Sequence, residues 1–455
     1  MKYVQVWETK SLCPVCLGVI PAKKVVEGDN IYLEKTCSEH GDYKVLLWHD
    51  VQSYKDRYGF DVGRVKPKKL LTKSKKGCPY DCGLCPDHKQ HTCVVVMEVT
   101  NQCNLKCPIC FASAREMYEY EPDIDVVKEM YKTVVDYTEK PICVQISGGE
   151  PTIRNDLPDI VSLGKEMGID YIEVNTNGIR LAKDMEYFHR LKESGVDALY
   201  FSFDGLTSEV YRKKCGVDLL NLKLKTIENC AKLEVGVVLV PVLVQGVNYD
   251  QIGDIIQFAK ERVPVVNSVH FQPISHFGRY PHTPTDEDRI TIPDVLRAIQ
   301  DQTKGELKVE NFTSTSCPNV HCDARSYSLL MEDGKLLPLT QSSIGASGKV
   351  RDIAKKTREA ISDLWRYPIS SEGCECVPGT WMDLIERASK YYLTVSVMAF
   401  QDVWNIELER VQECCIHVVT PDRRLIPFCL FNVSGINGKT LYRHNILSKF
   451  ATPTA

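Results

Sequence analysis

The sequence predicts an α/β fold in which a parallel sheet is flanked by cysteine-rich segments. Between about residues 91 and 274, short apolar runs alternate with amphipathic stretches of helical periodicity. Strands that alternate with helices usually pair in parallel, because each helix returns the chain to the same end of the sheet. The six predicted strands are Val94–Val99, Val144–Ser147, Tyr171–Asn175, Ala198–Phe203, Val237–Val242 and Ser268–Pro273.

The composition is that of a globular protein rich in metal-binding side chains. The 455 residues are 43% hydrophobic, enough for a large core, and a net charge of −4 argues against a nucleic-acid partner. No apolar run approaches the roughly twenty residues that span a bilayer, and Met1 does not begin a signal peptide, so we expect a cytoplasmic protein. In that reducing compartment the 20 cysteines are more plausible as metal ligands than as disulfides.

The cysteine pattern divides the chain into four predicted regions. They are a metal-ribbon region at 1–76, a cluster segment at 77–93, the parallel-sheet domain at 94–282 and a C-terminal cysteine-bearing domain at 283–455. In the first region, Cys13 and Cys16 form one knuckle, and Cys37 and His40 form another. This spacing is typical of a tetrahedral zinc site or a rubredoxin-like iron site. The alternative for His40 is a solvated surface side chain.

The cluster segment follows a basic run, Pro67–Lys76, which we expect to cross the surface. Contact of this run with anionic headgroups of a membrane surface is a weaker alternative. Four thiolates close an iron–sulfur cubane, so the segment predicts a fully ligated auxiliary cluster, with a zinc knuckle as the minor alternative. Either His88 or His91 can replace Cys93 as a ligand. The four candidate ligands are Cys78, Cys82, Cys85 and Cys93.

A second cysteine triplet, Cys103, Cys107 and Cys110, lies in the loop after the first predicted strand. Three cysteines leave one iron of a four-iron, four-sulfur cluster open to a small-molecule ligand, although a zinc knuckle has similar spacing. The second strand runs into Gly148, Gly149 and Glu150. Paired glycines let a ligand approach the backbone, and the carboxylate can accept hydrogen bonds from an ammonium group. The triplet is therefore the candidate catalytic centre.

On these two motifs the chain resembles the radical S-adenosylmethionine (SAM) superfamily. The resemblance implies a partial, six-stranded parallel barrel, a cluster on the triplet, and SAM bound with its amine against Gly148–Glu150. It also implies that a 5′-deoxyadenosyl radical abstracts hydrogen from substrate. Ile109 departs from the aromatic residue that is common before the third cysteine, which weakens stacking on adenine. Further candidate SAM contacts are Asn175, Asn177, Ser202, Asp204, Arg212 and Gln272, of which Asn175, Ser202 and Arg212 are favoured over loop-capping or surface roles.

Over nearly its whole length, the chain resembles the members of one branch of this superfamily. That branch includes the archaeal tetraether lipid synthase and the class D radical SAM methylases. This branch carries auxiliary clusters and a mononuclear metal. The resemblance points to a second auxiliary cluster in the C-terminal domain, with buried, unliganded thiols as the alternative. Its candidate ligands are Cys317, Cys322, Cys414 or Cys415, and Cys429, while Cys374 and Cys376 are further cysteines of the same region.

Three functions stay open at this point. The first, which the apparently complete auxiliary cysteine set favours, is carbon–carbon coupling of lipid chain termini. The second is methylation of a pterin in methanopterin biosynthesis, with a methyl group from a reduced folate-type carrier. The third is a non-enzymatic iron–sulfur electron carrier, which has no need of the SAM amine site at Gly148–Glu150. For either enzyme, the implied partners are a small-molecule or lipid substrate and an electron donor such as ferredoxin or flavodoxin.

Overall fold

A computed structural model describes residues 6–61, 63–115, 118–315, 317–340, 359, 364–368 and 390–451. Cys374 and Cys376 lie outside these residues. The described chain forms two sheets, one small and antiparallel and one large and mostly parallel. The strands are β1 Val6–Leu12, β2 Val19–Glu27, β3 Asn30–Cys37, β4 Gly41–His49, β5 Val94–Thr100, β6 Cys143–Gly148, β7 Tyr171–Thr176, β8 Ala198–Ser202, β9 Gly236–Val240, β10 Val242–Leu243, β11 Val266–Pro273, β12 Asp323–Leu330, β13 Leu336–Pro338, β14 Tyr392–Met398, β15 Ile416–Val419 and β16 Leu425–Pro427.

The antiparallel sheet has the order β1-β2-β3-β4 and forms the N-terminal ribbon. Its strands alternate polar and apolar residues, so one face is buried and the other is solvated. The buried face packs on the C-terminal part of the chain. Lys35 is buried there and donates hydrogen bonds to the backbone oxygens of Leu12 and Val403, at 2.8 and 2.7 Å. The ribbon is thereby joined to residues almost four hundred positions away.

The six predicted strands are β5, β6, β7, β8, β9 and β11, which lie side by side in parallel as expected. They are rich in valine and isoleucine and are mostly buried, as parallel strands covered on both faces are. Glu98 is a polar exception in β5, where Arg443 from the C-terminal end of the chain binds its carboxylate at 2.7 Å.

Amphipathic helices connect the parallel strands, and short helices follow in the C-terminal part. A single turn at Asp286–Asp288 precedes the helix Ile292–Gln302. The helices are Val51–Asp56, Ile124–Tyr137, Leu157–Glu166, Ile179–Lys183, Met185–Glu193, Ser208–Cys215, Leu220–Leu233, Ile252–Lys260, Ile292–Gln302, Leu408–Gln412, Phe428–Asn432 and Arg443–Leu447.

The C-terminal region adds strands to both edges of the predicted six. β14 pairs in parallel with β11, and β15 pairs in parallel with β5. The remaining strands β12, β13 and β16 are antiparallel additions. Residues beyond the predicted boundary at 283 thus belong to the same sheet as the predicted barrel. The sequence did not reveal this, because a strand's composition does not encode which distant strand it will pair with.

Trp365 closes the space inside the parallel strands at their amino-terminal ends. It shares one apolar cluster with Cys143, Tyr171 and Ala198, which lie at the starts of β6, β7 and β8. The neighbouring Arg366 binds the carboxylate of Asp197 at 2.8 Å and holds the segment in place.

None of the helices in the described ranges has both the length and the apolar character needed to cross a membrane.

Candidate functional site

The triplet Cys103, Cys107 and Cys110 lines a cavity of about 330 Å³ inside the parallel strands. The backbone around the loop is fixed: the N–H of Cys110 donates to the oxygen of Arg279 at 2.9 Å, and Arg279 Nε donates to the oxygen of Cys107 at 2.7 Å. Burial raises the pKa of Cys103 to about 12. The thiol of Cys103 therefore keeps its proton until a metal ion displaces it.

Gly148 and Gly149 bring the end of β6 against the start of the cysteine loop. A Cβ on Gly148 would clash with the backbone oxygen of Thr100, and one on Gly149 would clash with that of Gln102. Gly148 also has a φ of +135°, which other residues rarely adopt. The glycines therefore allow close packing of backbone on backbone, in addition to the predicted approach of a ligand.

Glu150 is buried beside these glycines and accepts hydrogen bonds from the protein itself. Its Oε1 accepts from the hydroxyls of Thr152 and Thr176 at 2.6 and 2.7 Å, and its Oε2 accepts from the N–H of Asn177 at 2.6 Å. Burial raises the pKa of the carboxyl group despite these donors. Glu150 thus ties the ends of β6 and β7 together, and any contact with an amine is made by a carboxylate already held in position.

Of the other predicted SAM contacts, Asn175 and Ser202 line the cavity, whereas Arg212 does not. Asn175 Nδ2 donates to Ser147 Oγ at 3.2 Å, and its buried Oδ1 has no partner among the described residues. The side chain of Arg212 is 64% exposed and binds Asp218 at 3.1 Å. The helix turns Arg212 outward to solvent, so the structure does not bring it to the cavity. Asn177, Asp204 and Gln272 also line the cavity.

Two buried lysines and a cysteine complete this wall and were missed from the sequence. Lys214 binds Asp204, and Lys223 donates to the backbone oxygens of Asn177 and Ser202 at 2.8 and 2.6 Å. Cys215 lines the cavity and contacts the thiol of Cys107. The signal for Lys223 was its position on the apolar face of its helix, in register with Ile227 and Cys230.

In the ribbon the structure brings Cys13, Cys16, Cys37 and His40 together. Their ligand atoms all lie within 4.8 Å of one another. His40 Nδ1 is 3.4 Å from Cys37 Sγ, and so the histidine lies with the thiols rather than in solvent alone. Three thiols and one imidazole at these distances fit a tetrahedral metal site.

Cys93 does not join Cys78, Cys82 and Cys85, which corrects the predicted cluster set. Its sulfur atom lies beside that of Cys317 instead, with the two Cα atoms 7.4 Å apart. The reason is its place in the fold: Cys93 immediately precedes β5, and its N–H donates to the oxygen of Cys415 at 2.8 Å, where β15 begins beside β5. The pairing of β5 with β15 therefore carries Cys93 away from the preceding cysteines.

The predicted C-terminal set lies in two neighbouring groups, and Cys415 adjoins both, because Cys414 and Cys322 also influence its ionisation. Cys317 and Cys415 lie with Cys93 in one buried cluster, and His91 Nε2 is 3.3 Å from Cys93 Sγ. The other members, Cys322, Cys414 and Cys429, lie close enough to influence one another's ionisation. Cys93, Cys317 and Cys415 line the same cavity as the triplet. Since β5 has seven residues, it separates Cys93 from the triplet loop by roughly 23 Å.

Two family models match the chain. One, the Radical SAM superfamily, covers residues 97–259, and the other, the HMPTM N-terminal zinc ribbon domain, covers residues 6–49. The chain is 38% identical to the 7,8-dihydro-6-hydroxymethylpterin dimethyltransferase of Methanocaldococcus jannaschii, over 98% of this chain and 96% of that protein. This chain belongs to the radical SAM superfamily. The expected fold class and superfamily are thereby confirmed, and the protein is a radical SAM enzyme.

More distant radical SAM relatives match only part of the enzyme. The GTP 3′,8-cyclase of Limosilactobacillus fermentum is 32% identical over 40% of this chain and 55% of its own length. Among solved structures, methylornithine synthase has a TM-score of 0.38 at 16% identity, covering 47% of this chain and 62% of that one.

The residues of this radical SAM enzyme fit the cofactors that its superfamily implies. The three thiols of the triplet open onto one cavity, which suits a cluster with a free iron. The orphaned Oδ1 of Asn175 and the backbone cradle at Gly149 border the same space and can receive the polar groups of SAM.

Proposed function

We propose that this enzyme transfers methyl groups to a reduced pterin, 7,8-dihydro-6-hydroxymethylpterin. The observation that carries the proposal is the 38% identity to a dimethyltransferase of this pterin along almost the full length of both chains. A match of that extent includes the ribbon and the C-terminal strands. The methyl donor that we propose is a reduced folate-type carrier.

The cavity supports a small polar substrate over a lipid chain. Its wall carries Gln145, Tyr200 and Gln272 among the polar residues, and Gln272 Nε2 donates to the hydroxyl of Tyr200 at 2.8 Å. A pterin offers polar groups that can hydrogen-bond with these side chains, whereas a lipid chain offers none. Trp365 closes the far end, where a long chain would have to continue. These features favour the pterin over the lipid-coupling interpretation.

The roles of the chain's own residues follow from their places around the cavity. We assign Cys103, Cys107 and Cys110 to the cluster, and Gly148, Gly149, Glu150, Asn175 and Ser202 to SAM. Bound together, the cluster and SAM supply the 5′-deoxyadenosyl radical that abstracts hydrogen. The protein orients both reactants in a space lined by buried residues, and this arrangement keeps water from the reacting carbon.

For the remaining metal sites we propose two groups and a ribbon ion. The first group, which we propose as ligands of a cluster, is His91, Cys93, Cys317 and Cys415. The ion of the ribbon is zinc or iron, and its proposed ligands are Cys13, Cys16, Cys37 and His40. The Cα separation of Cys93 and Cys317 exceeds the range of about 4.4–6.8 Å found in relaxed disulfides, and this wider spacing suits ligands around a shared iron–sulfur cluster. Cys322, Cys414 and Cys429 form the second group.

The test is anaerobic incubation of the reconstituted enzyme with SAM, a reductant, the dihydropterin and the candidate methyl donor. Mass spectrometry should detect products heavier by one and two methyl groups, together with 5′-deoxyadenosine. The matched control is the Cys107→Ala variant. Product formation from a lipid extract, with none from the pterin, would overturn the proposal. Cleavage of SAM by the wild type would also exclude the electron-carrier alternative.

A further inference from the structure

Arg325 is a half-buried cation of the cavity wall, and no residue in the described ranges pairs with its side chain. It lies on β12 and lines the cavity beside His270 and Trp365. Its guanidinium makes no hydrogen bond or ion pair with any residue in the described part of the chain, and its Nε is fully buried. The nearest acid, Asp323, accepts from the hydroxyls of Ser314 and Thr315 at 2.8 and 2.6 Å instead.

The other cations of the cavity wall are all held by the protein. Lys214 binds Asp204, Lys223 donates to two backbone oxygens, and Arg279 donates to the oxygen of Cys107. An unpaired buried charge destabilises the folded state, so we expect a fold to keep one only where something else binds it. Burial and the nearby Asp323 are the main influences on Arg325, and the first of these lowers its pKa. No residue in the described ranges fills this role, so we look for the partner in a ligand that enters the cavity.

The guanidinium selects the chemistry of that ligand. It is a planar fork of donors with no acceptor, and it matches two acceptor atoms that lie side by side in one plane. In a 7,8-dihydropterin, the C4 carbonyl oxygen and N5 are such a pair, because N5 is an imine nitrogen with a free lone pair beside that oxygen. The remaining ring edge carries mostly donors, which the fork would repel.

Resting on the proposed function, we propose that Arg325 orients the substrate by a two-pronged hydrogen bond to the C4 oxygen and N5 of the dihydropterin. Aromatic rings border the same part of the cavity: Tyr200 lies 6.1 Å from Trp365, and His270 lies 5.7 Å from Tyr200, between ring centroids. Burial lowers the pKa of His270 to about 3, so this ring is neutral and leaves the positive charge at Arg325. The flat pterin is thus held at its edge by the arginine and beside its faces by rings.

The test compares Arg325→Met with the wild type by fluorescence titration of the anaerobic, SAM-bound enzyme. The ligands are the dihydropterin and its 5-deaza analogue, in which a C–H group replaces N5. The wild type should bind the analogue roughly 10-fold more weakly, and Arg325→Met should bind the dihydropterin roughly 10- to 100-fold more weakly without distinguishing the two. Arg325→Lys keeps the charge without the fork, and it should recover part of the affinity but none of the discrimination.

Thermal unfolding separates this role from a structural one. Without ligand, Arg325→Met should melt at a higher temperature than the wild type, because an unpaired charge is removed. Arg297→Gln, at an exposed arginine on the helix Ile292–Gln302, is the control and should change neither measurement. If the wild type methylates the pterin but Arg325→Met binds it within threefold as well, this inference is wrong and the proposed function stands. If the wild type does not bind the pterin, both are wrong.

Discussion

The ribbon and the C-terminal cysteines are two candidate metal-binding regions, of which one is assembled locally and the other from distant parts of the chain. In the ribbon, Cys13, Cys16, Cys37 and His40 lie within 28 positions of the chain, and their ligand atoms converge within 4.8 Å. The other region joins Cys93 to Cys317, which is 224 positions away. The spacing in the sequence was sufficient to group the first set, whereas it grouped the second set wrongly.

The difference teaches where ligand spacing is informative. Short loops at strand ends restrict the ligands of a knuckle to one place, so the spacing almost fixes the geometry. Ligands on separate strands meet only where the strands pair, and that pairing depends on the whole sheet. The triplet at Cys103 is of the first kind and was grouped as expected, while Cys93, although only ten positions away, is of the second.

The largest expected effect is at the local triplet. Cys107→Ala should abolish the formation of 5′-deoxyadenosine, because two cysteines cannot hold a cluster with an open iron, while most iron stays bound at other sites. Chromatography of the nucleoside product and iron analysis check this. Cys230→Ala, at a buried helix cysteine remote from the cavity lining, is the matched control. Undiminished SAM cleavage by Cys107→Ala would contradict the assignment.

The next effect tests whether Cys93 and Cys317 belong to one distant site. Each single change to alanine should lose about one cluster's worth of iron, and the double variant should lose no more than either single variant. A change at Cys429, which belongs to the second proposed group, should instead add its own loss to that of Cys93→Ala. Methylation should stop in the Cys317 variant, yet SAM cleavage should persist without coupling to product. Additive iron losses for Cys93 and Cys317 would show that they serve different sites.

A fragment experiment sharpens the comparison further. Residues 1–60 should bind one equivalent of zinc or iron on their own, since all four ligands lie within them. The site around Cys93 should stay empty in a chain truncated before Cys415, however much iron is supplied. Metal analysis after reconstitution measures both. A metal-free ribbon fragment would mean that the C-terminal contacts of Lys35 are needed even for the local site.

The smallest expected effect concerns His40. His40→Ala should weaken metal binding less than Cys37→Ser does, because three thiolates remain and water can fill the fourth position. Competition with a chromophoric chelator compares the two variants with the wild type. Equal weakening by the two substitutions would show that the imidazole contributes as much as a thiolate. If the metal affinity of His40→Ala equals that of the wild type, His40 is not a ligand but a solvated surface side chain, which is the alternative given in the sequence analysis.

The sequence by itself determined the superfamily chemistry and most of the parallel sheet. Apolar strands in alternation with helices located β5 to β9 and β11 almost to the residue, because parallel strands buried on both faces leave a continuous apolar signal. The triplet and the Gly148–Glu150 turn were found for a related reason, since both lie at strand ends within single loops. Arg212 was placed at the site by resemblance, but its helix turns it to solvent.

Only the tertiary structure decided how the distant parts meet. The pairing of β15 with β5 and of β14 with β11 places Cys415 beside Cys93 and brings β12, with Arg325, to the cavity wall. Trp365 reaches the same cavity from a segment with no local signal of that role. The local sequence determines the arrangement of ligands within one loop, because few bonds separate their side chains. Contacts across hundreds of residues depend on the packing energy of the whole fold, which no short pattern contains.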